Sequence, residues 1–275
     1  METKTPATAM GAAVSPYLLD NAGREAPARF AALSAMFDTG TIRHLEERGV
    51  APGWHCWEVG GGGGSIATWL ARSVGPAGRV LVTDIDPRFL ETLKEPSLDV
   101  RRHNVVSDPL PEETFDLIHA RLVLVHLPQW QKVLQRLISV LKPGGWLLDE
   151  EFDSDSVPPE PAASPGEVFL KTHAAMAQLM RDRGFDRHFG RLVFGRFRAL
   201  GLTEVGAEAR MFMMQSGSAG TALLRANYEQ LHGALIDSGY VTEPEFQDDL
   251  SRLDDSSFMM PSSIMWTAWG RRVST

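Results

Sequence analysis

Five consecutive glycines, residues 60–64, stand between an apolar stretch and a helical pattern. Upstream, residues 54–59 have the composition of a short buried strand. Downstream, Ile66, Leu70 and Val74 recur at the spacing of one helix face. A flexible linker is one meaning of a glycine run. The ordered patterns on both sides instead favour a ligand-binding turn, because glycine tolerates positive φ and has no Cβ in the way.

Strand patterns alternate with helical patterns after this turn. The spacing predicts strands at 54–59, 79–84, 99–105, 115–120 and 146–152, and two further strands within 202–214 and 262–272. A short helix is predicted after the second strand, with Asp86 as its cap and Pro87 at its first position. Another helix, opened by Pro128, is predicted to run through Leu141. Such alternation predicts a mostly parallel α/β sheet with helices on both faces.

The segments outside this alternation are predicted to be helical. Residues 1–49 form a predicted N-terminal helical cap, with helices at 24–37 and 40–49, and residues 50–275 form the main domain. Two insertions in that domain, 153–190 and 216–256, are interpreted as lids; a separate helical domain is the alternative. Their predicted helices cover 167–183, 218–237 and 243–253, the last opened by a capping box of Thr242 and Glu245.

Composition excludes several classes of partner. The formal net charge is −8 and the chain contains no cluster of Lys and Arg, so nucleic acid and anionic membrane surfaces are not expected partners. Cys56 is the single cysteine, which rules out an internal disulfide. No stretch approaches the ~20 apolar residues of a membrane span. The first 30 residues lack a signal-peptide pattern, so a cytoplasmic location is expected. No metal-ligand spacing is present, and no metal is predicted.

The end of the second strand carries the next diagnostic residue. Asp84 lies 20 positions after Gly64, where an acid can accept hydrogen bonds from both ribose hydroxyls of a nucleotide. The sequence features named so far would also fit an NAD-dependent oxidoreductase. However, Ser65 and Ile66 stand where a strict GxGxxG pattern needs its third glycine. Glu58 at the loop entrance suits a cationic amino group better than a pyrophosphate.

Four segments in this order carry a resemblance to a known family: EVGGGGGS, VLVTDIDP, FDLIHARLVLVHLP and LKPGGWLL. Together they resemble the class I S-adenosylmethionine-dependent methyltransferases, in particular the small-molecule branch that is frequent in bacterial secondary metabolism. The likeness covers roughly residues 50–152. It implies a Rossmann-like seven-stranded sheet with an antiparallel last strand, S-adenosyl-L-methionine as the cofactor, and a small-molecule acceptor.

The resemblance also implies roles for individual residues. Glu58 and the glycines would meet the methionine end of the cofactor, Asp84 its ribose and Ile85 its adenine, while the backbone near Ala120 and Arg121 completes the cradle. At the end of the third strand relatives commonly carry Asp, whereas this chain has Asn104, whose side-chain oxygen can still accept a hydrogen bond. The implied cofactor-binding set is Glu58, Gly60, Gly61, Gly62, Asp84, Ile85, Asn104, Val105, Ala120 and Arg121.

Two residues are candidates for acid–base chemistry. His126 follows the fourth strand at a turn that borders the substrate space in relatives; a core or helix-capping histidine is the alternative. Asp149, Glu150 and Glu151 end a strand that begins as an apolar run. We expect at least one of these carboxylates, with Glu151 as the candidate, to face the pocket as a base or to bind a polar or cationic acceptor. A solvated strand end is the alternative.

The predicted function is methyl transfer from S-adenosylmethionine to O, N or C of a small-molecule metabolite. A fold relative that binds the cofactor without methylating, such as a cyclase or a binding module, is the alternative, and an NAD-dependent oxidoreductase is a more distant one. Methionines at 211, 213, 214, 259 and 260 fit either core packing or a pocket for a flat apolar substrate. A homodimer is also compatible with the sequence.

Overall fold

The computed structural model describes residues 18–154 and 170–274. The described elements, in chain order, are α1 (Ala26–Glu47), β1 (His55–Val59), α2 (Ser65–Val74), β2 (Arg79–Asp84), β3 (Leu98–Arg102), β4 (Phe115–Arg121), α3 (Trp130–Ser139), β5 (Leu141–Asp153), α4 (Lys171–Asp182), α5 (Phe189–Ala199), β6 (Thr203–Arg210), β7 (Met213–Gln215), α6 (Ala219–Asp237), α7 (Glu243–Arg252), β8 (Met259–Pro261) and β9 (Ile264–Arg271).

Seven of these strands form one sheet in the order β3-β2-β1-β4-β5-β9-β6. Neighbouring strands pair in parallel from β3 through β5, whereas β9 runs antiparallel to both β5 and β6. The prediction of a Rossmann-like, mostly parallel sheet whose last strand is antiparallel is confirmed. The carboxyl ends of β1, β2 and β4 meet at one edge, which is where ligands bind in open sheets of this kind.

Apolar side chains cover both faces of the sheet. On one face Trp57, Ile118 and Leu147 are buried with residues of α3 and α5. On the other face Cys56 and Leu117 are buried with residues of α1 and α2. A further apolar cluster joins α4, α6 and α7 to the two-stranded sheet β7–β8. We call these three helices with β7–β8 the helical layer.

The N-terminal segment folds as one continuous helix, α1, so the predicted break between 37 and 40 is wrong. Gly40, the first residue of the second predicted helix, lies inside α1. A Cβ at Gly40 would collide with the guanidinium group of Arg210. The glycine therefore serves a close packing contact with β6 and does not end the helix.

Several other boundaries differ from the predicted ones. The segment after β2 forms only a 3-10 turn, Leu90–Thr92, without a side-chain cap from Asp86. Helix α3 ends at Ser139, so Leu141 and the KPGG segment belong to β5, where the pairing with β4 shifts register between Phe115 and Leu117. Helix α5 was not predicted. The capping box of Thr242 and Glu245 is confirmed.

The predicted lids are described in part. Residues 155–169, which hold most of the Pro/Ser/Asp-rich loop and the start of the predicted helix 167–183, lie outside the described residues. The described part of the first insertion contains α4, and the second insertion contains α6 and α7. Their role as lids stays a prediction.

Candidate active site

The glycine run folds as a tight turn over the end of β2. Gly60 and Gly62 have φ values of +67° and +51°, which L-residues with side chains rarely adopt. The backbone N–H groups of Gly60 and Gly61 donate to the carbonyl oxygen of Thr83 at 2.8 and 3.0 Å. A Cβ at Gly62 would lie 2.7 Å from Cε1 of Phe30. The run is therefore an ordered turn, and the linker alternative is wrong.

Asp84 ties this turn to the end of β2. Its Oδ2 accepts a hydrogen bond from the N–H of Gly62 at 3.0 Å, and its Oδ1 accepts one from the N–H of Asp86 at 2.9 Å. Burial raises the pKa of this carboxyl group. Each carboxylate oxygen accepts more than one hydrogen bond, so Asp84 retains capacity for two ligand hydroxyls.

A cavity of about 890 Å³ runs between this turn and the helical layer. Its volume is at the upper end of the range for small-molecule sites. Most of the predicted site residues line it: Glu58, Gly60, Gly61, Gly62, Asp84, Ile85, Asn104, Val105, Arg121 and His126. Ala120 and Glu151 do not. The residues predicted from the sequence therefore form much of one wall of the cavity.

Two predicted cofactor residues already have partners within the protein. The Nη1 of Arg121 donates to Oδ1 of Asp38 at 2.9 Å and to Oγ1 of Thr41 at 3.1 Å, which ties β4 to α1. Oδ1 of Asn104 accepts the N–H of Val106 at 3.0 Å and retains a second lone pair. Ala120 is fully buried in β4 opposite Val59, so only its backbone is compatible with the expected role.

A buried charge network behind the glycine turn was not predicted from the sequence. Nδ1 of His119 donates to Oε2 of Glu58 at 2.6 Å, and Nε2 of His119 lies 3.5 Å from Oε2 of Glu150. Glu150 also accepts hydrogen bonds from Thr267 at 2.6 Å and Arg210 at 2.8 Å, and from Thr41. The available signal was a histidine between the apolar residues Ile118 and Ala120 of β4.

This network fixes the charges of its members. Burial opposes protonation of His119, but the carboxylates of Glu58 and Glu150 outweigh burial and raise the pKa of His119 to about 9. Burial likewise opposes ionisation of Glu150, but His119 and Arg121 outweigh it and lower the pKa of Glu150 to about 2. His119 is consequently an imidazolium at neutral pH. The side chain of Glu58 is therefore paired with a cation of the protein itself, the imidazolium of His119.

The expectation that Glu151 faces the pocket is wrong. Its Oε1 accepts the backbone N–H groups of Val123 at 3.1 Å and Leu124 at 2.6 Å, beneath the turn that carries His126. Burial raises the pKa of Glu151 well above its usual range, and the nearby Asp149 adds to the effect. Asp149 is also fully buried, and burial raises its pKa to about 8. Neither of these two carboxyl groups lines the cavity.

His126 lies on the cavity wall, in the short 3-10 turn Leu124–His126. Its ring centroid is 5.2 Å from that of Phe185. Burial lowers the pKa of His126 to about 4, and the Arg29 cation adds to the effect. The imidazole is therefore neutral at neutral pH. Its place at the cavity is compatible with the predicted role, which remains a prediction.

The opposite wall comes from α1 and the helical layer. Its apolar members include Phe37, Met176, Met180, Met214, Leu223, Leu224 and Met260, and its polar members include His173 and Asn227. Nδ1 of His173 lies 3.1 Å from the hydroxyl of Tyr228, and burial lowers the pKa of His173 to about 4. Helical periodicity placed the members from α1, α4 and α6 on helices, but it did not show which of them would meet the glycine turn.

The glycine-turn wall fits S-adenosylmethionine. Gly60 and Gly62 line the cavity as backbone at φ values that residues with side chains rarely adopt, and Asp84 has lone pairs for ribose hydroxyls. Ile85, an apolar residue with 45% of its surface exposed, lies beside the cavity where an adenine ring could cover it. The sheet order, its antiparallel strand and this cradle define the fold of the class I S-adenosylmethionine-dependent methyltransferases.

Comparison with known proteins agrees with this class. Residues 57–149 match the family model described as a methyltransferase domain. This part of the chain is therefore a class I methyltransferase domain, and S-adenosylmethionine is the cofactor of that class. The resemblance of the four sequence segments to class I methyltransferases is confirmed, and membership of the small-molecule branch stays a prediction.

The chain is similar to methyltransferases of several sources. It is 35% identical over 137 residues to methyltransferase str2 of Strobilurus tenacellus, which covers 49% of this chain and 48% of that protein. It is 32% identical over 123 residues to the ubiquinone/menaquinone biosynthesis C-methyltransferase UbiE of Laribacter hongkongensis, covering 42% of this chain and 50% of that protein. The chain thus spans about half the length of these curated relatives.

A likeness of fold extends further along the chain. The structure of phosphoethanolamine N-methyltransferase 2 of Haemonchus contortus, solved with S-adenosylhomocysteine, superposes with a TM-score of 0.57. The match covers 92% of this chain and 58% of that chain at 14% identity. At this identity the comparison concerns the fold alone.

Two further findings concern residues 18–154 and 170–274. No helix there is long and apolar enough to cross a membrane. Nor does this part of the chain contain a group of three His, Cys, Asp or Glu side chains placed to hold a metal ion.

Proposed function

We propose that this protein transfers a methyl group from S-adenosylmethionine to O, N or C of a small, largely apolar molecule. The main support for this proposal is that one cavity joins the glycine turn to the apolar wall of the helical layer. A cofactor at the turn and an acceptor at that wall would share this space. The name of the relative UbiE places its reaction in ubiquinone and menaquinone biosynthesis, which supports a small-molecule acceptor.

When bound, the cofactor would supply an electrophilic methyl group on its sulfonium. Glu58, the glycine turn and Asp84 would hold the cofactor, with Ile85 and Asn104 at its adenine. Residues of α1, α4 and α6 would place the acceptor and exclude water from the reacting centre. Orientation and a dry cavity supply much of the acceleration in such transfers.

His126 is the titratable group best placed to meet an acceptor. Because its pKa is about 4, the neutral ring can accept a hydrogen bond from an acceptor hydroxyl at neutral pH. The same low pKa makes His126 a weak base. Its proposed role is therefore to orient the acceptor, with proton removal needed only for acceptors that lose a proton.

The decisive measurement is calorimetry against S-adenosylmethionine, S-adenosylhomocysteine and NAD. Binding of the first two ligands without the third is expected, and binding of NAD alone would overturn the cofactor class. Turnover is then followed with a methyl-labelled cofactor and a panel of phenols, amines and electron-rich aromatic carbon acceptors. Cofactor binding without label transfer to any class of acceptor would favour a non-methylating cyclase or binding module.

A further inference from the structure

His173 on α4 is a polar side chain on an apolar wall of the cavity. His173, Ala177 and Met180 all line the cavity and follow one another at spacings of four and three residues, so they share one face of the helix. Ala177 adds only a methyl group beside the imidazole ring. His173 is only partly buried, and it lies on the face of α4 that borders the cavity.

One ring nitrogen of His173 has a partner within the protein. Nδ1 lies 3.1 Å from the hydroxyl oxygen of Tyr228, whose side chain is fully buried. Within residues 18–154 and 170–274 this hydroxyl group has no other hydrogen-bond partner. A buried O–H group needs an acceptor, so the Tyr228 hydroxyl donates to Nδ1. Burial and the nearby Asp249 carboxylate raise the pKa of Tyr228 well above its usual range, so the phenol keeps this proton.

The state of Nδ1 determines what the other ring nitrogen can do. Burial lowers the pKa of His173 to about 4, so the ring is neutral at neutral pH and carries a single N–H group. Because Nδ1 accepts a hydrogen bond, that hydrogen is on Nε2. In the described part of the chain Nε2 has no partner, and it is not a buried atom. It therefore offers a hydrogen-bond donor on the acceptor side of the cavity.

We infer that His173 is the hydrogen-bond donor to the methyl acceptor, and that the acceptor is a largely apolar molecule with a carbonyl oxygen. This inference rests on the proposed function, because it assigns the wall of the helical layer to the acceptor. A carbonyl oxygen accepts from Nε2 and has no hydrogen of its own to place. Met176 and Met180 on the same helix would cover the apolar remainder, since methionine adapts readily to irregular shapes. The role proposed for His126 is complementary, because His126 accepts a hydrogen bond whereas His173 donates one.

The first measurement tests the proton positions without any acceptor. Long-range proton–nitrogen correlation spectra of isotope-labelled protein distinguish the two neutral tautomers of histidine. The signals of His173 are assigned by their loss in His173→Leu. The tautomer with hydrogen on Nε2 is expected in wild type at pH 7, and hydrogen on Nδ1 would overturn the inference.

The second measurement uses 1-tetralone and tetralin, which differ only in a carbonyl group in place of a methylene group. Each is titrated into protein saturated with S-adenosylhomocysteine, so that the cofactor end of the cavity is filled, and binding is followed by ligand-observed NMR. His173→Leu removes the donor, so the preference for 1-tetralone, expressed as the ratio of the two dissociation constants, should fall at least ~5-fold from the wild-type ratio. His173→Gln keeps an N–H donor on a side chain of similar length and should restore part of the preference.

Controls separate this inference from folding and from the proposed function. His232→Leu replaces a histidine of α6 that does not line the cavity, and it should keep the wild-type ratio. Thermal unfolding checks each variant. If His173→Leu does not fold, the double variant His173→Leu, Tyr228→Phe takes its place, because it leaves no hydroxyl group without an acceptor.

Calorimetry with S-adenosylhomocysteine tests the cofactor assignment separately, so its failure is visible before any tetralone is added. A fall in the ratio that is confined to the His173 variants supports the inference. An unchanged ratio in His173→Leu, or failure of both compounds to bind wild type, overturns it.

Discussion

Nδ1 of His119 donates a hydrogen bond of 2.6 Å to Oε2 of Glu58, directly before the glycine turn. The two residues are register partners on the adjacent parallel strands β1 and β4. Glu150 on β5 lies on the other side of the imidazole, at 3.5 Å from Nε2. One protonated ring thus sits between two buried carboxylates at the centre of the sheet. It neutralises charge at the place where the cofactor's amino group is expected.

The first prediction concerns the pH dependence of stability. Because folding raises the pKa of His119 from 6.5 to about 9, its contribution is fully present below pH 6.5 and is lost as pH rises through about 9. The shift corresponds to about 3 kcal/mol. Urea unfolding between pH 6 and 10 should show this loss in wild type and a flatter profile in His119→Gln. The control His103→Gln should follow wild type; a His119→Gln profile parallel to wild type would contradict the charge assignment.

The second prediction concerns Asp84. Hydrogen bonds to a charged group contribute roughly 1.5–3 kcal/mol each. Since about 1.4 kcal/mol is tenfold in affinity, Asp84→Ala should weaken S-adenosylhomocysteine binding at least ~10-fold by calorimetry. Asp99→Ala, which removes a half-buried acid on the next strand, should bind as wild type does. Unchanged affinity in folded Asp84→Ala would remove the ribose assignment.

The third prediction concerns the glycine turn. Gly62→Val places a branched side chain at a φ of +51° and against Phe30, so cofactor binding should be abolished. Gly195→Val, in α5, meets no atom within 4 Å at its Cβ and should retain binding. Far-UV circular dichroism should show wild-type secondary structure in both variants. Retained binding in Gly62→Val would mean that the cofactor does not approach this turn.

The fourth prediction separates a structural from a catalytic Glu151. Burial raises the pKa of this side chain well above its usual range, and its Oε1 accepts two backbone N–H groups. Glu151→Gln keeps an acceptor oxygen in place, so methyl transfer should stay within about threefold of wild type. Glu151→Leu leaves those N–H groups unpaired and should cost roughly 1–3 kcal/mol of stability per unpaired group. If Glu151→Gln loses activity a hundredfold without losing stability, the carboxylate is a catalytic base after all.

The fifth prediction concerns the lids, 153–190 and 216–256. Helices α4 and α6 of these segments line the acceptor side of the cavity, so an acceptor should order them further. Amide exchange in α4 should slow more with S-adenosylhomocysteine plus the acceptor identified by turnover than with S-adenosylhomocysteine alone. Peptides from α5, which packs on β5 and β9, serve as the internal control. Equal protection of α4 in both states would show that the lid does not respond to the acceptor.

The local sequence determined the methyltransferase domain and one wall of its cavity. The glycine run needs positive φ, and Asp84 ends an apolar strand; both are properties of neighbouring residues. Their consequences could therefore be predicted before any long-range contact was known. The same reasoning was wrong at Gly40, which packs against Arg210 inside α1. It was also wrong at Leu141, which pairs with β4 as part of β5 and does not extend α3.

Only the tertiary structure decided which polar side chains work together. Glu58, His119 and Glu150 are far apart in sequence and meet because parallel pairing sets β1, β4 and β5 side by side. Successive side chains of a strand point to opposite faces, so Glu150 joins this network while Glu151 lies under the turn that carries His126. The sequence shows that these acids follow one another. It does not show which helix packs on which face of the sheet. That packing decides the hydrogen-bond partner and the charge of each side chain.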